Sequence, residues 1–274
     1  MTMIAHIYLK EMKRNRTSIL IWGVLLAALI LMGMSFFPII MQGEALKQLQ
    51  GFFETPFMKG WMEALGATPN IMANVLGFYA TRNALFIVLM GNFFAILLGG
   101  RLLAQEEYEK TAEFLLTRPV TRTEVMAGKL AVLATGVTVI TAVIFASGYL
   151  SLELFKGDSD YRFAAFLVHT VYSFLLMQLF GAFGLFLSLL MRRARPMTTV
   201  GIGIVAGTFF LDMVSRFAKS ADWIGYIGPF KFMDGEVLRP DYGLTWWRVL
   251  YFVGLTLGLW ALSFVVYRKK DILV

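Results

Sequence analysis

The chain has no cysteine and only 2 histidines among 274 residues. Without cysteine there are neither disulfides nor thiolate metal sites, and redox chemistry says nothing about compartment. His6 and His169 stand far apart and no H-E-x-x-H occurs, which argues against a zinc hydrolase. No G-x-x-x-x-G-K-[ST] is present either. The nearest fragment, Gly128-Lys129-Leu130, lacks the upstream glycine loop and the hydroxyl residue, so this chain does not bind ATP through a P-loop. Charge is scarce as well: 16% of residues are charged against 58% hydrophobic, with a mean hydropathy of +0.68. Such a balance excludes an ordinary soluble protein and points to an integral membrane protein.

What is abundant is long apolar sequence. A hydrocarbon core of about 30 Å needs roughly 20 apolar residues per helix. Six segments qualify, at about 19–40, 83–103, 125–150, 163–190, 197–214 and 247–267. The first is too long for a signal-peptide core and lacks a small-x-small cleavage site, so it reads as an uncleaved span. Ahead of it, Ile4, Ile7, Tyr8 and Glu11 alternate with Lys10, Lys13, Arg14 and Arg16, as in a short interfacial helix, a frayed tail being the other reading.

Loop charges orient the spans. Fifteen of the 25 Lys and Arg residues fall on the side that would hold both termini, residues 101–129 and Arg192-Arg193-Arg195. That side is expected to be cytoplasmic, in a multi-pass protein of the cell membrane. The net charge of +7 is then an orientation signal, not one for nucleic acid. On the other side, Leu46, Phe52, Phe57, Trp61 and Leu65 alternate with Lys47, Glu54, Lys59 and Glu63, with Pro56 and Pro69 as breakers, and Trp223, Ile224, Tyr226, Ile227 and Phe230 cluster before the last span. Both segments fit short external amphipathic helices or ordinary aromatic interface anchors.

Inside the spans, polar chemistry is thin. No acidic residue lies mid-span, whereas ion-coupled pumps normally carry buried carboxylates along their path. Asp212 and Arg216, four apart near the end of span five, are expected to pair along one helix. His169 is either a functional intramembrane group or simply wet near the outer end of span four. Small residues recur at helical spacing in Gly91/Ala95/Gly99, Gly181/Gly184/Ser188, Gly203/Gly207 and Gly254/Gly258. They suit close helix contact, within the chain or between two copies. No internal repeat is visible, which leaves inverted-repeat transporter architectures unsupported.

One charged island interrupts the apolar pattern, from Glu106 to Arg122. As a helix it sets Tyr108, Ala112, Leu115 and Leu116 on one stripe and Glu106, Glu109, Lys110 and Glu113 on another. One face can bury while the other meets a partner or the inner leaflet. Pro119 pushes Arg118 out of the helical region, and Thr121-Arg122-Thr123-Glu124 has the capping-box spacing that opens a new helix.

The order of these residues resembles the signature of type-2 ATP-binding-cassette (ABC) exporter permeases. Glu107-x-Glu109-Lys110-Thr111-x-Glu113-Phe114-Leu115-Leu116-Thr117-Arg118-Pro119-Val120-Thr121-Arg122, followed by Gly128-Lys129, is similar to that family's acidic pattern, Leu-Leu pair, Pro-Val, basic residue and Gly-Lys. Gly228-Pro229-Phe230 resembles its Ser-Pro-Phe segment, and Arg268-Lys269-Lys270-Asp271-Ile272 its basic-Asp-Ile end. Lys110 and Gly228 depart from the family's glycine and serine.

The resemblance implies an all-α polytopic fold of six transmembrane helices, with the whole of residues 1–274 as one permease domain. It also implies dimerisation with a second copy or a related permease, contact with membrane lipids, and pairing with two cytoplasmic ATPase subunits. ATP and Mg would be bound by those partners and no cofactor by this chain, which would not itself be an enzyme. The residues from Glu106 to Leu116 would be the coupling helix, flanked by Pro119 and Arg122. Arg192, Arg193 and Arg195 would add a second contact or anchor to lipid heads. Export of an unidentified cargo, for which the apolar spans suggest an amphipathic molecule, is the leading expectation. A non-transport module that transmits ATPase-driven force or a sensing signal is the alternative, and a lipid-processing enzyme would need clustered polar residues that the sequence does not show.

Overall fold

A computed structural model describes residues 3–41, 69–108, 121–191, 194–217, 219–233 and 235–269. Among them there is no strand, and six segments are long and apolar enough to cross a membrane: Met3–Met41, Phe86–Leu103, Arg122–Phe155, Phe163–Leu190, Met197–Arg216 and Trp246–Lys269. The protein is an all-α polytopic membrane protein.

Helix α1 (Met3–Met34) has 32 residues and is unbroken. The N-terminal basic segment is therefore not a separate interfacial helix, as its charge suggested; it runs straight into the first span. The reason lies in its buried stripe, Ile7, Glu11, Asn15, Ile19, Gly23, Leu26 and Ile30, which steps by three or four from one end to the other. No proline or glycine interrupts residues 4–22. The rod stops where Pro38 cannot donate to the carbonyl four residues back, and α2 (Phe36–Met41) follows at a break.

The second span also starts earlier than its hydropathy indicates. After α3 (Pro69–Met72), Asn74 caps α4 (Val75–Arg82), its side-chain oxygen accepting from the backbone N–H groups of Leu76 and Gly77 at 2.9 and 3.2 Å. A π-helical turn, Asn83–Val88, joins α4 to α5 (Leu89–Tyr108). Buried Asn92 donates through its amide nitrogen to the Val88 carbonyl at 2.6 Å, where the ladder changes step.

The remaining helices are α6 (Arg122–Phe155), α7 (Phe163–Leu190), α8 (Ala194–Phe217), the short α9 (Asp222–Gly225) and α10 (Trp246–Lys269). Helices α5 and α7 cross with their backbones touching. A Cβ on Gly99 would meet the Gly181 carbonyl, and one on Gly184 would meet the Ile96 carbonyl. These two small-residue stripes therefore serve packing within the chain, where lipid supplies no hydrophobic drive and close approach must supply the attraction.

At the face away from the termini, Arg162 at the head of α7 donates to the carbonyls of Arg239, Pro240 and Tyr242, and the Tyr172 hydroxyl accepts from the Thr245 N–H at 2.9 Å. These bonds fasten the segment before α10 to α7. Phe230, from a 3-10 turn at Pro229–Phe232, is buried with its ring 5.4 Å from Phe180 and 5.3 Å from Phe209, whereas Trp223, Tyr226 and Ile227 are exposed. The aromatic cluster is thus divided between one core anchor and an outward belt. A Cβ on Gly228 would stand 2.9 Å from Thr208 Cβ, so this turn sits tightly on α8. The external segment from Leu46 to Leu65 lies outside the described residues.

Candidate functional site

The charged island is framed by described helices. Glu106 and Glu107 fall in the last turn of α5, with their side chains outside the described set, while Glu109, Lys110, Thr111, Glu113, Phe114, Leu115, Leu116 and Pro119 lie outside the described residues altogether. Arg122 opens α6. Its helix start is the capping box that the Thr-x-x-Glu spacing predicts: the Thr121 hydroxyl accepts from the Glu124 N–H, and Glu124 Oε2 accepts from the Thr121 N–H at 2.9 Å.

Arg122 then reaches across the bundle. Its Nη1 donates to the carbonyls of Tyr267 at 3.3 Å and Arg268 at 3.1 Å, in the last turn of α10. Those carbonyls stand in the last turn, where a guanidinium complements the negative end of the helix dipole. The exit of the island is thereby tied to the end of the last span.

The entrance is tied more deeply. Lys129, one turn into the apolar part of α6, is fully buried, and its ammonium donates to the Leu102 carbonyl of α5. The same nitrogen is 3.8 Å from Glu11 Oε1 on α1, and Glu11 is 1% exposed. Arg14 completes the group, its Nη2 lying 2.7 Å from Glu11 Oε2, and Asn15 Nδ2 donates to the Glu11 carbonyl at 2.9 Å. The Glu11 carboxylate is thus held between Lys129 of α6, equally buried, and the partly exposed Arg14 one turn along α1.

Gly128 explains how the groups come so close. A Cβ there would stand 2.8 Å from Ile7 Cγ2, so α1 and α6 touch along this face only because the side chain is absent. Gly-Lys in this position is thus one device: the glycine admits the helix and the lysine locks it. The resemblance drew notice to Gly128 and Lys129 but not to Glu11. Its signal was nonetheless present, since Glu11 is the sole acidic residue before Glu44, set among Lys10, Lys13, Arg14 and Arg16.

Other polar residues are placed as follows. Asp212 and Arg216 form the expected pair, with Nη2 3.0 Å from Oδ2. His169 is 2% exposed, with its ring centroid 6.3 Å from that of Tyr79, so it is not the wet residue that its place near a span end suggested. The inward curve of α4, which lays Tyr79 over α7, is what covers it. Arg192 and Arg193 lie outside the described residues, as does the side chain of Arg195. Among the described residues no three His, Asp or Glu side chains gather to hold a metal.

A bundle of α-helices with six apolar spans defines a polytopic membrane component, and comparison with known families agrees. Residues 5–272 match the family described as ABC-2 family transporter protein, and the chain belongs to it. The chain is therefore a membrane permease component of the ABC transporter class. Among curated proteins, none matches it.

Proposed function

We propose that this chain is, over its whole length, the permease domain of an ATP-driven exporter and that residues 106–116 dock onto a separate cytoplasmic ATPase. The observation that carries this reading is the Glu11–Lys129–Leu102 cluster. A loop that merely rested on the inner leaflet would need no such root, whereas a segment that passes force into the spans needs both of its ends fixed to different helices. Here the entrance is fixed to α1, α5 and α6 by buried charge, and the exit to α10 through Arg122.

In this reading both termini and the island face the cytoplasm of the cell membrane, and two ATPase subunits bind ATP and Mg and move the island between two positions. Such a switch requires that the ATPases contact the segment differently in their two states. A second permease copy, or a related one, covers the open small-residue faces. Nothing lies within 4 Å of a Cβ built on Gly203, Gly207, Gly254 or Gly258, which is the space that close helix contact between subunits would use.

Charge reversal of Glu106, Glu109 and Glu113 together tests the assignment. The triple variant is expected to reach the membrane but to lose co-purification with the ATPase. If both association and ATP-driven cargo movement persist unchanged, the docking assignment is wrong. ATP hydrolysis by the complex without cargo movement in sealed vesicles would instead identify a force-transmitting module.

A further inference from the structure

At the end of α6 remote from the island, Phe145, Tyr149 and Glu153 stand four apart on one stripe. They face Phe163 at the head of α7 across a cleft of about 390 Å³. The connecting turn, bent at Gly157 with φ +57°, brings Lys156, Asp160 and Tyr161 to its rim. The cleft therefore has an aromatic wall and a charged mouth.

The wall faces lipid. Tyr149 is 43% and Phe163 48% exposed on the outside of the bundle, and their rings meet edge to face at 5.8 Å. The mouth sits where two spans end, at the depth of lipid headgroups. Within it the charges are unevenly used. Glu153 takes the Tyr161 hydroxyl on Oε1 and the Lys156 ammonium on Oε2, each at 2.7 Å, so both carboxylate oxygens are engaged. Lys156 spends one of its three donors there and keeps the others. Asp160 is exposed and makes no ion pair or hydrogen bond among the described residues. The mouth thus offers one cation with spare donors and, within reach of its charge, one carboxylate that takes no hydrogen bond among the described residues, next to an apolar wall.

We infer that this cleft binds a phospholipid whose headgroup carries an amine: phosphate on Lys156, ammonium on Asp160, and the acyl region along Phe145, Tyr149 and Phe163. Charge selects this occupant. An anionic headgroup with no amine satisfies Lys156 but is set against two carboxylates, and a simple cation satisfies Asp160 but leaves the Lys156 donors idle. Only a zwitterion answers both. The tyrosine faces add cation–π attraction for the ammonium. The site depends on the chain spanning a membrane and is independent of how the island meets an ATPase.

Native mass spectrometry of the full chain in detergent, titrated with phosphatidylethanolamine or with phosphatidylglycerol, tests the inference. The wild-type chain is expected to retain the ethanolamine lipid at least tenfold more tightly. Asp160→Asn, an exposed change without bearing on the fold, is expected to abolish that preference, and Tyr149→Ala to weaken both lipids. Asp158→Asn, on the same turn but outside the cleft, is expected to change nothing. The inference is overturned if the two lipids bind equally to the wild type, if Asp160→Asn keeps the preference, or if dodecylammonium binds as tightly as the phospholipid.

Discussion

The Lys129 ammonium and the Glu11 carboxylate, far apart in sequence, meet at 3.8 Å in a place closed to solvent. Their attraction is strong because nothing screens it, and the cost of removing either is correspondingly large. Glu11→Leu leaves the Lys129 charge buried without its carboxylate, at about 3–5 kcal/mol, and Lys129→Met removes one of the two cations on Glu11. The double variant Glu11→Leu/Lys129→Met is expected to recover most of that loss, and Tm measured in detergent for the three proteins checks it. Arg14 makes the two single variants unequal. With Lys129 gone, Arg14 still neutralises Glu11 at 2.7 Å, so Lys129→Met should be the milder change.

Arg122 carries two carbonyls at the end of α10. Its replacement by alanine should release the last turn of that helix at a cost of up to about 2 kcal/mol. Hydrogen exchange is the direct readout: amides of residues 264–269 are expected to exchange faster in Arg122→Ala while those in the middle of α10 stay protected. Lysine in the same place retains the charge but not the two-pronged reach, and should restore only part of the protection.

The two kinds of glycine should separate cleanly. Gly184→Ala forces a methyl group into the Ile96 carbonyl, a backbone atom with nowhere to go, and is expected to reduce folded protein sharply on size-exclusion chromatography. Gly203→Ala and Gly254→Ala meet open space and should shift Tm by no more than about 0.5 kcal/mol in stability. Loss of a dimer on the same column in these last two, with Tm intact, would mark their faces as the subunit contact.

Lys156 and Tyr161 tie the turn after α6 to Glu153 and set a pH window. The hydrogen bond to Glu153 raises the lysine above its ordinary value of 10.5, and burial first, then the same carboxylate, raises the tyrosine above 10.0. Both groups hold their protons more tightly in the folded chain than in the unfolded one. The stability they contribute is thus whole below pH 10 and is lost as pH climbs through the folded values. Absorbance at 295 nm should show a late phenol titration that diminishes in Tyr161→Phe.

How much of this was readable from residues alone follows the range of the forces involved. The spans were, because twenty apolar residues in a row have few other fates, and span four was placed at 163–190, where α7 runs from Phe163 to Leu190. The capping box at Thr121 was legible too, since its hydrogen bonds span three residues. Continuity of α1 was not: charge argued for a break, whereas the stripe from Ile7 to Ile30 that prevents one is visible only once α6 is known to lie along it. Nor was the burial of His169, which depends on a helix arriving from residues 75–82. The pairing of Glu11 with Lys129 belongs to the same kind, a long-range meeting whose local trace was one acid among four bases. Of the island's own residues only Thr121 and Arg122 acquire described side-chain partners.

The length of α1 has a mechanical consequence. Its 32 residues make a rod of about 48 Å, well beyond the 30 Å of the hydrocarbon core. The turns that carry Glu11 and those that reach the far leaflet belong to the same stiff object, with no hinge between them before Ser35. A push on the Glu11 end is therefore not absorbed locally but appears at the other end as a sideways sweep, with the membrane acting as fulcrum. The first place able to bend is the joint before Pro38, and any movement entering at the Glu11 end would be felt first there.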